Sequence, residues 1–417
     1  MKSKVAIVKS PKIPGTPTHY ENDAIKTIEE MIEEVFELSI GGLNNLIDKN
    51  MKVLIKPNIA WPCNPELSAI TDPRVIEALI RYIKKQVKVK EVIVGEGPVL
   101  GTWTAREVFH ISGIEGVVKR AGGKCVYFDE VPRVIMKNED AKVFDCFSLP
   151  KPLLEADVYI NLPKLKVHAM EMVSLGIKNQ MGLLLEERLI AHNSLSQKLV
   201  DILKVIRPDY TLVDGIWALQ GNGSIPSNPE EYVIKDMNVL IGGTDVVAVD
   251  AIASMLMGYN PENIDVLRIA AYEGIGKAHF KDIEVVGRNL NEVKRNFIKP
   301  DLRVQAVYPN VEVYMGGACK YCTAFLAEIL TLLNARGILK KLISPLKIII
   351  GKKLHLSTKL KDHKGYILFG DCAIEDNAKL GEFVIEGCPP LMNFLNFIKA
   401  VEKHVGKKLN LSEILWL

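Results

Sequence analysis

The apolar residues of the first 130 positions follow two recurring patterns. Short runs rich in β-branched residues predict strands, and apolar residues spaced three or four positions apart predict amphipathic helices. Thr71-Asp72-Pro73 adds a helix start, because Thr or Asp is a favoured N-cap and proline suits the first helical position. The predicted strands are residues 4–9, 51–55, 91–95 and 124–128. The predicted helices are residues 22–38, 73–82, 102–112 and 116–121.

The same succession of elements continues further along the chain. The next predicted elements are an edge hairpin within 130–151, strands at 211–213 and 238–241, and a helix at 196–206. Strands and helices in this order predict a parallel sheet with helices on its faces. We therefore expect an α/β fold, with a mostly parallel sheet flanked by helices in residues 1–296. A second, smaller α/β metal-binding domain is expected in residues 303–417.

Residues 156–182 carry the polar side chains that are hardest to explain as scaffold. Residues 157–162 have the pattern of a buried strand, which Pro163 ends. The segment after this strand contains Lys164, Lys166, His168, Lys178 and Asn179. Ligands bind at strand ends in open α/β sheets, so the cluster predicts an anion-binding or proton-transfer site. The alternative is a solvated loop that carries three lysines.

Polar side chains also follow other predicted strands. Lys56 and Asn58 lie at the carboxyl end of one strand, because Pro57 cannot pair within a central ladder. Asp214 ends the strand predicted at 211–213. These residues would join the basic cluster at one edge of the sheet.

The helix predicted after residue 243 begins with polar residues and contains one carboxylate. Thr244 or Asp245 would serve as its N-cap, and Thr244 is the favoured capping residue. Asp250 lies within an apolar run, and a buried carboxylate needs a partner. A lysine of the central stretch is the obvious candidate.

The tail, from about Arg303, contains three apolar strands that each lead to a cysteine-bearing loop. The strands are predicted at 311–315, 366–369 and 383–385, and the cysteines are Cys319, Cys322, Cys372 and Cys388. Parallel strands end at one edge of a sheet, so the four thiols would converge there. Four thiolates suit Zn²⁺ or an iron–sulfur cluster, with sulfurs about 4 to 7 Å apart. The alternatives are a redox dithiol at Cys319 and Cys322, or no joint role.

Composition narrows the class of protein. With 48% hydrophobic and 25% charged residues, the 417-residue chain has the composition of a folded globular protein. A net charge of +3 gives no electrostatic case for nucleic-acid binding. No apolar run reaches the roughly 20 residues of a membrane helix, and the first ten residues lack a signal-peptide core. We therefore expect a cytoplasmic protein with reduced cysteines, in which Cys63, Cys125 and Cys146 are small buried hydrophobes.

Five motifs occur in a characteristic order along the first two-thirds of the chain. They are Lys56-Pro57-Asn58, residues 162–168 (LPKLKVH), residues 176–179 (GIKN) with Gly182, residues 213–215 (VDG) and residues 245–250 (DVVAVD). Over about residues 4–287 this pattern resembles the family called domain of unknown function 362. Its second motif usually reads Lys-Thr-His, and Val167 replaces the threonine here while Lys166 and His168 remain. Family members frequently carry a ferredoxin-like cluster module, so the resemblance implies an iron–sulfur protein.

The metal expected in the tail follows from the cysteine spacing and a second resemblance. Zinc ribbons usually supply cysteines as two close pairs, and this tail has one close pair. Residues 387–390 (GCPP) look like the cluster-ligand turn in the small subunits of hydrogenases and complex I. An iron–sulfur cluster of the 4Fe–4S type is therefore expected, with zinc as the alternative. The tail lacks the tight ferredoxin spacing common in the family, which leaves the cluster type open.

The leading functional prediction is an iron–sulfur redox protein that acts as an oxidoreductase on an anionic small molecule. Lysines would bind the anion, His168 would relay a proton, and the cluster would exchange electrons with a partner protein. The predicted catalytic residues are Lys166, His168, Lys178 and Asp214, and the predicted ligand-binding residues are Lys56, Asn58, Asn179, Asp245 and Asp250. One alternative is a non-redox isomerase or racemase that uses Lys/His acid–base chemistry and holds a structural zinc. Another is a cluster carrier or binding protein without turnover.

Overall fold

The strands and helices of the structure follow the predicted alternation over most of the chain. The computed structural model describes residues 2–59, 62–97, 103–188, 192–223, 226–305, 307–354, 365–410 and 414. The strands are Ser3–Lys9 (β1), Lys52–Pro57 (β2), Glu91–Glu96 (β3), Lys124–Tyr127 (β4), Arg133–Lys137 (β5), Cys146–Pro150 (β6), Val158–Leu162 (β7), Lys164–His168 (β8), Met172–Ser174 (β9), Tyr210–Leu219 (β10), Val233–Ile234 (β11), Val239–Gly243 (β12), Ile283–Gly287 (β13), Val311–Met315 (β14), Leu346–Ile350 (β15), Tyr366–Phe369 (β16) and Gly381–Ile385 (β17).

The helices differ widely in length, and the longest is amphipathic as its sequence predicts. Asp72 caps the second helix through a 2.9 Å hydrogen bond from the backbone N–H of Arg74, which confirms the predicted start. The helices are Asn22–Ile40 (α1), Pro73–Gln86 (α2), Ala105–Ile111 (α3), Ile114–Arg120 (α4), Lys151–Leu154 (α5), Gly176–Asn179 (α6), Leu195–Val205 (α7), Pro229–Tyr232 (α8), Val246–Leu256 (α9), Asp265–Tyr272 (α10), Leu290–Val293 (α11), Lys320–Ala335 (α12), Asp371–Asn377 (α13) and Phe394–Val405 (α14).

The larger sheet contains 11 strands within the described ranges. Its main path runs β13-β1-β12-β10-β7-β2-β3-β4, with β11 and β8 paired to β10 and β9 paired to β8. The run β10-β7-β2-β3-β4 is parallel, whereas β12 is antiparallel to both of its neighbours. The predicted fold class, a mostly parallel sheet flanked by helices, is confirmed.

Both faces of the larger sheet are buried. In β1, Val5 and Ile7 belong to one hydrophobic core, and Ala6 and Val8 belong to the other. The apolar faces of α1 and α2 pack in the second core, and α7 and α9 pack in the first. Strands covered on both faces have continuous apolar sequences, which explains why β2 and β7 show no clean alternation.

The tail forms a smaller parallel sheet in the order β14-β15-β16-β17. Its hydrophobic core includes the inner face of α12 and also Ala169 and Met170, which follow β8 of the larger sheet. The two sheets are therefore joined by shared packing next to the central polar stretch. The predicted limits of two domains, 1–296 and 303–417, stay a prediction.

Three local predictions are corrected by the structure. Residues 164–168 form a buried strand, β8, so the solvated-loop alternative is wrong. Asp214 lies in the middle of the ten-residue β10 and not at a strand end. The hairpin of β5 and β6 forms a separate two-stranded sheet, and β15 in the tail was not predicted. For β8 and β10, pairing with distant strands, which has no local sequence signal, set the outcome.

The helices of the described ranges are short or carry many charges. Among them, no helix combines the length and the apolar character that crossing a membrane requires.

Candidate functional site

Strand β8 brings three basic side chains to one side of the protein. Lys164, Lys166 and His168 alternate along the strand and therefore share one face. Lys164 and Lys166 are buried, and His168 keeps part of its surface accessible. The three side chains have different partners, and these partners separate structural from chemical roles.

Lys164 is used in a buried ion pair with Asp214. The Lys164 Nζ lies 3.0 Å from Asp214 Oδ2, and that oxygen also accepts a 2.7 Å hydrogen bond from the backbone N–H of Asp72. Asp214 Oδ1 accepts a hydrogen bond from the backbone N–H of Ile216. Burial raises the pKa of Asp214, while Lys164 acts in the opposite direction. Asp214, predicted as catalytic, is thus placed as an anchor between β8, β10 and the start of α2.

Lys56 lies in a second buried pair that the sequence did not indicate. Its Nζ is 2.8 Å from Glu96 Oε2 and 3.2 Å from Asn179 Oδ1. Asn58 donates to the same Asn179 oxygen at 3.3 Å. A Cβ at Gly182 would overlap Glu96, so this approach requires glycine. The structure brings Lys56, Asn58 and Asn179 together as predicted. The carboxylate beside them is that of Glu96, whose only sequence signal was its position at the end of a strand.

Asp250 binds backbone groups and not the predicted lysine. Its two carboxylate oxygens accept hydrogen bonds of 2.7 and 2.8 Å from the backbone N–H groups of Gly176 and Ile177. Burial raises the pKa of Asp250 to about 7, against the effect of these two donors. The bonds fix the start of the short helix α6 and so position Lys178 and Asn179, which that helix carries.

Asp245 is the N-cap of α9, in place of the favoured Thr244. One carboxylate oxygen accepts hydrogen bonds from the backbone N–H groups of Val247 and Ala248. The other accepts hydrogen bonds from the Ser3 hydroxyl and the backbone N–H of Lys277. Both oxygens of this predicted ligand-binding residue are thus engaged in joining α9 to β1.

Lys178 and His192 lie near His168, because the charges of both act on its ring. The side chains of Lys178, His168 and His192 are each partly accessible to solvent. Burial by the surrounding protein nevertheless lowers the pKa of each one. Burial, assisted by the nearby Arg188, lowers the pKa of Lys178 to about 7. Burial likewise lowers the pKa of Lys166 to about 8, and the Lys166 Nζ donates a 2.5 Å hydrogen bond to the carbonyl of Ala69. We call Lys166, His168, Lys178, Arg188 and His192 the anion pocket.

The two histidines of the anion pocket hold opposite tautomers. Nδ1 of His168 accepts hydrogen bonds from the backbone N–H groups of Met170 and Glu171 at 3.2 and 3.3 Å, so its proton resides on Nε2. Nδ1 of His192 lies 2.9 Å from the carbonyl of Arg188 and must donate to it, which leaves Nε2 as an acceptor. His168 therefore presents a donor and His192 presents a base. The predicted proton relay through His168 is not supported by this geometry, because two backbone donors occupy Nδ1 and it cannot pass a proton on.

Arg188 and His192 are the site residues that sequence reasoning missed. They stand four positions apart in the segment after Leu184, with neither a strand end nor a motif beside them. A spacing of four would place both on one face of a helical turn, which was the available signal. Arg188 is buried and its pKa is lowered by that burial, with Glu96 acting in the opposite direction.

The four cysteines of the tail follow β14, β16 and β17. Cys322 is buried, Cys372 is half-buried, and Cys319 and Cys388 are exposed. A Cβ at Gly370, whose φ is +89°, would lie 3.2 Å from the Cys322 sulfur, so glycine lets the loop before Cys372 approach Cys322. Asp371 and Gly387, the neighbours of Cys372 and Cys388, hydrogen-bond each other at 2.6 and 3.2 Å.

The thiols are close enough to influence one another. A hydrogen bond from Cys322 lowers the pKa of Cys319 to about 5. The same hydrogen bond and burial raise the pKa of Cys322, burial raises the pKa of Cys388, and the charge of Cys372 adds to both increases. Four thiols at one sheet edge match the donor set of a zinc or iron–sulfur site. Among the described residues, no three His, Cys, Asp or Glu side chains are grouped so that they could hold a metal ion. The shared metal site therefore stays a prediction.

The remaining cysteines have three different environments. Cys63 is buried as predicted, and burial raises its pKa to about 12. Cys125 is half-buried and Cys146 is exposed, so the prediction of buried hydrophobes is wrong for Cys146 and only partly right for Cys125. Cys146 is the first residue of β6 in the small two-stranded sheet, and it is the exposed residue of that strand.

Residues 53–255 match the family model described as "Domain of unknown function (DUF362)". The resemblance deduced from the motifs is confirmed over this range, which contains the anion pocket. The chain is also 28% identical over 279 residues to the thylakoid-associated protein sll1697 of Synechocystis sp.. That alignment covers 65% of this chain and 80% of the relative.

Two solved structures have a partial likeness to this chain. The lactate racemase apoprotein from Thermoanaerobacterium thermosaccharolyticum has a TM-score of 0.36 and 15% identity, covering 55% of each chain. A protein from Thermotoga maritima has a TM-score of 0.30 and 12% identity, covering 50% of this chain and 52% of its own. The chain thus spans about half the length of either structure, at similarities too low for an inference about activity.

Proposed function

We propose that the protein is an enzyme that binds a small carboxylate or similar anion in the anion pocket and transfers a proton on it. The observation that carries this proposal is the pair of opposite tautomers at His168 and His192, near Lys178, whose charge acts on both rings. A donor, a base and a cation are the three groups that proton abstraction next to a carboxylate requires.

The roles follow from the atoms that each residue presents. Nε2 of His192 would accept the proton from carbon, while Nε2–H of His168 and the ammonium of Lys178 would stabilise the negative charge that develops on oxygen. Nearby cations, chiefly Lys178, add to the burial that lowers the pKa of His192 to about 3. A bound anion offsets these cations, which raises the pKa of His192 and makes it a stronger base in the complex.

Deuterium exchange tests this assignment directly, because it follows the abstracted hydrogen and needs no identified product. We expect the protein to exchange the carbon-bound hydrogen of at least one compound in a panel of small 2-hydroxy and 2-amino carboxylates in D₂O, observed by proton NMR. His192→Gln should slow the exchange by about 100-fold or more, the usual contribution of a general base. His168→Gln should slow it by about 100-fold, through loss of one stabilising donor.

His279→Gln is the matched control, because His279 is exposed and contacts only Glu262 in the described structure. Exchange that is absent for the whole panel, or unchanged in His192→Gln, contradicts the proton-transfer proposal.

A second candidate is the iron–sulfur oxidoreductase that the sequence favours. The observation in its favour is a contact between Lys320, which directly follows Cys319, and a residue beside the anion pocket. The Lys320 Nζ lies 3.6 Å from Glu171 Oε1, and the backbone N–H of Glu171 donates to Nδ1 of His168. A cluster held by Cys319, Cys322, Cys372 and Cys388 would supply one-electron transfer to a ligand in the pocket. The pocket residues would then bind and orient that ligand, and a partner protein would exchange electrons with the cluster.

Metal content separates the two candidates. If the second candidate holds, protein purified without oxygen should contain iron and sulfide and show a broad visible absorption band that bleaches on reduction. Cys322→Ser and Cys388→Ser should lose this band, whereas Cys146→Ser should keep it, because Cys146 lies in a different sheet. Colourless protein that contains zinc, or no metal, would contradict the redox candidate and leave proton transfer.

A further inference from the structure

Exposed lysines gather at the edge of the larger sheet where β2, β3 and β4 begin. These three strands are parallel neighbours, so they start at the same edge. The loops before β2 and β3 meet there, because the backbone N–H of Asn50 donates to the carbonyl of Lys88 at 3.0 Å. Helix α2 ends at the same edge, where Lys84 Nζ donates a 2.8 Å hydrogen bond to the carbonyl of Gly122, just before β4. We call six exposed lysines of these segments the basic edge: Lys49, Lys84, Lys85, Lys88, Lys90 and Lys124.

The positive charges of the basic edge exceed the negative charges beside them. In the described structure none of the six lysines forms an ion pair, whereas the exposed Lys119 pairs with a glutamate. Asp48 and Glu91 are the carboxylates next to these lysines in sequence. Lys84 and Lys85 complement the C-terminal dipole of α2, but the other four lysines lie outside that helix. Like charges held on one surface repel each other, and an anionic partner would relieve this repulsion.

The residue types at the basic edge distinguish between anionic partners. Nucleic-acid recognition favours arginine, whose planar guanidinium forms bidentate contacts, and exposed aromatic side chains that stack on bases. The nearest arginines in sequence, Arg81 and Arg120, are both engaged with Glu77. The aromatic residues of the adjoining segments, Tyr82 and Tyr127, are buried. A surface of exposed lysines matches instead the anionic headgroups of a membrane, which attract lysines without fixed contacts.

We propose that the basic edge binds the surface of a membrane that contains anionic lipids. The contact is electrostatic, between lysine ammonium groups and lipid headgroups. Lys52 begins β2, and Lys56 lies near its other end with its Nζ 3.2 Å from Asn179, beside the anion pocket. The basic edge and the pocket are therefore separated by the length of this strand, about 20 Å. A protein bound through the basic edge keeps its anion pocket open to water.

The test is cosedimentation of the full-length protein with phospholipid vesicles at neutral pH. We expect binding to vesicles that contain about 30% phosphatidylserine and no binding to pure phosphatidylcholine vesicles. Raising the salt concentration from about 0.1 M to about 0.5 M should release the protein, because salt screens exposed charges. Each lysine near such a surface strengthens binding by about fivefold. The triple variant Lys88→Gln, Lys90→Gln and Lys124→Gln should therefore bind about 100-fold more weakly, while its sulfate affinity stays unchanged.

The matched control is the triple variant Lys281→Gln, Lys294→Gln and Lys299→Gln. It removes the same charge from exposed lysines that flank β13 in sequence, at the opposite end of the strand order from β4. The control should bind vesicles as tightly as the unmodified protein.

Three results would overturn the inference. They are an unmodified protein that does not bind phosphatidylserine vesicles, a first triple variant that binds as tightly as the unmodified protein, and equal losses of binding in the two triple variants. Binding of the unmodified protein to a duplex oligonucleotide but not to vesicles, with loss of that binding in the first triple variant, would assign the basic edge to nucleic acid and also overturn the membrane proposal.

Discussion

Replacing Lys178 with methionine should weaken sulfate binding by about 100-fold, or about 2.7 kcal/mol, without unfolding the protein. The Lys178 Nζ donates no hydrogen bond to any described residue, whereas Lys56 and Lys164 are each paired with a carboxylate. Its charge is therefore available to a ligand. Glu171, the buried carboxylate whose charge acts on Lys178, keeps Lys320 as a partner when Lys178 is removed. Calorimetric titration with sulfate, alongside urea denaturation, measures both parts of this expectation.

The same lysine gives anion binding a defined pH dependence. Its pKa in the folded protein is about 7, below the usual lysine value of 10.5, so the charged fraction rises as the pH falls from 8 to 6. Sulfate stays a dianion over this range, and its affinity should increase about tenfold. Lys178→Met should flatten this profile, and Lys26→Met, at an exposed position, should not. Equal sulfate affinity in Lys178→Met and the unmodified protein would contradict the role given to Lys178.

Replacing Asp214 with alanine should destabilise the protein by about 3–5 kcal/mol, the usual cost of leaving a buried cation unpaired. Lys164 is 1% exposed and loses its carboxylate partner, while the N–H of Asp72 loses an acceptor at the start of α2. The double variant Lys164→Met with Asp214→Leu should regain part of this loss, because an apolar pair leaves no buried cation unpaired. The rest should stay lost, because the backbone N–H groups of Asp72 and Ile216 still lack their acceptor. Urea denaturation followed by circular dichroism provides the comparison.

Asp236→Ala is the control for the ion-pair variant, since Asp236 and Arg295 form an exposed pair that should contribute at most about 1 kcal/mol. If Asp214→Ala unfolds at the same urea concentration as the unmodified protein, the Lys164–Asp214 pair is not an anchor. A catalytic role for Asp214 would then have to be considered again.

Much of the site was indicated by residues that follow strands. Lys56, Asn58, Lys166, His168, Lys178 and Asn179 were selected because they stand after apolar strands, and the structure gathers them around one region. Asp214 and Asp245 were selected by the same reasoning, and Asp250 was selected because it lies within an apolar helical run. The structure uses these three carboxylates as an ion-pair partner, a helix cap and a backbone acceptor. Sequence position identifies a polar residue near a strand end but not the group to which it bonds.

The sequence by itself determined the type of each long element, the mostly parallel α/β fold and the placement of four cysteines after apolar strands. These features depend on the periodicity of neighbouring residues, which is a local property. Only the tertiary structure decided that Lys56 meets Glu96, 40 positions away, and that Asp250 caps α6 from 74 positions away. It also assigned opposite tautomers to His168 and His192, because an imidazole's proton is placed by the donors and acceptors that folding brings to its ring.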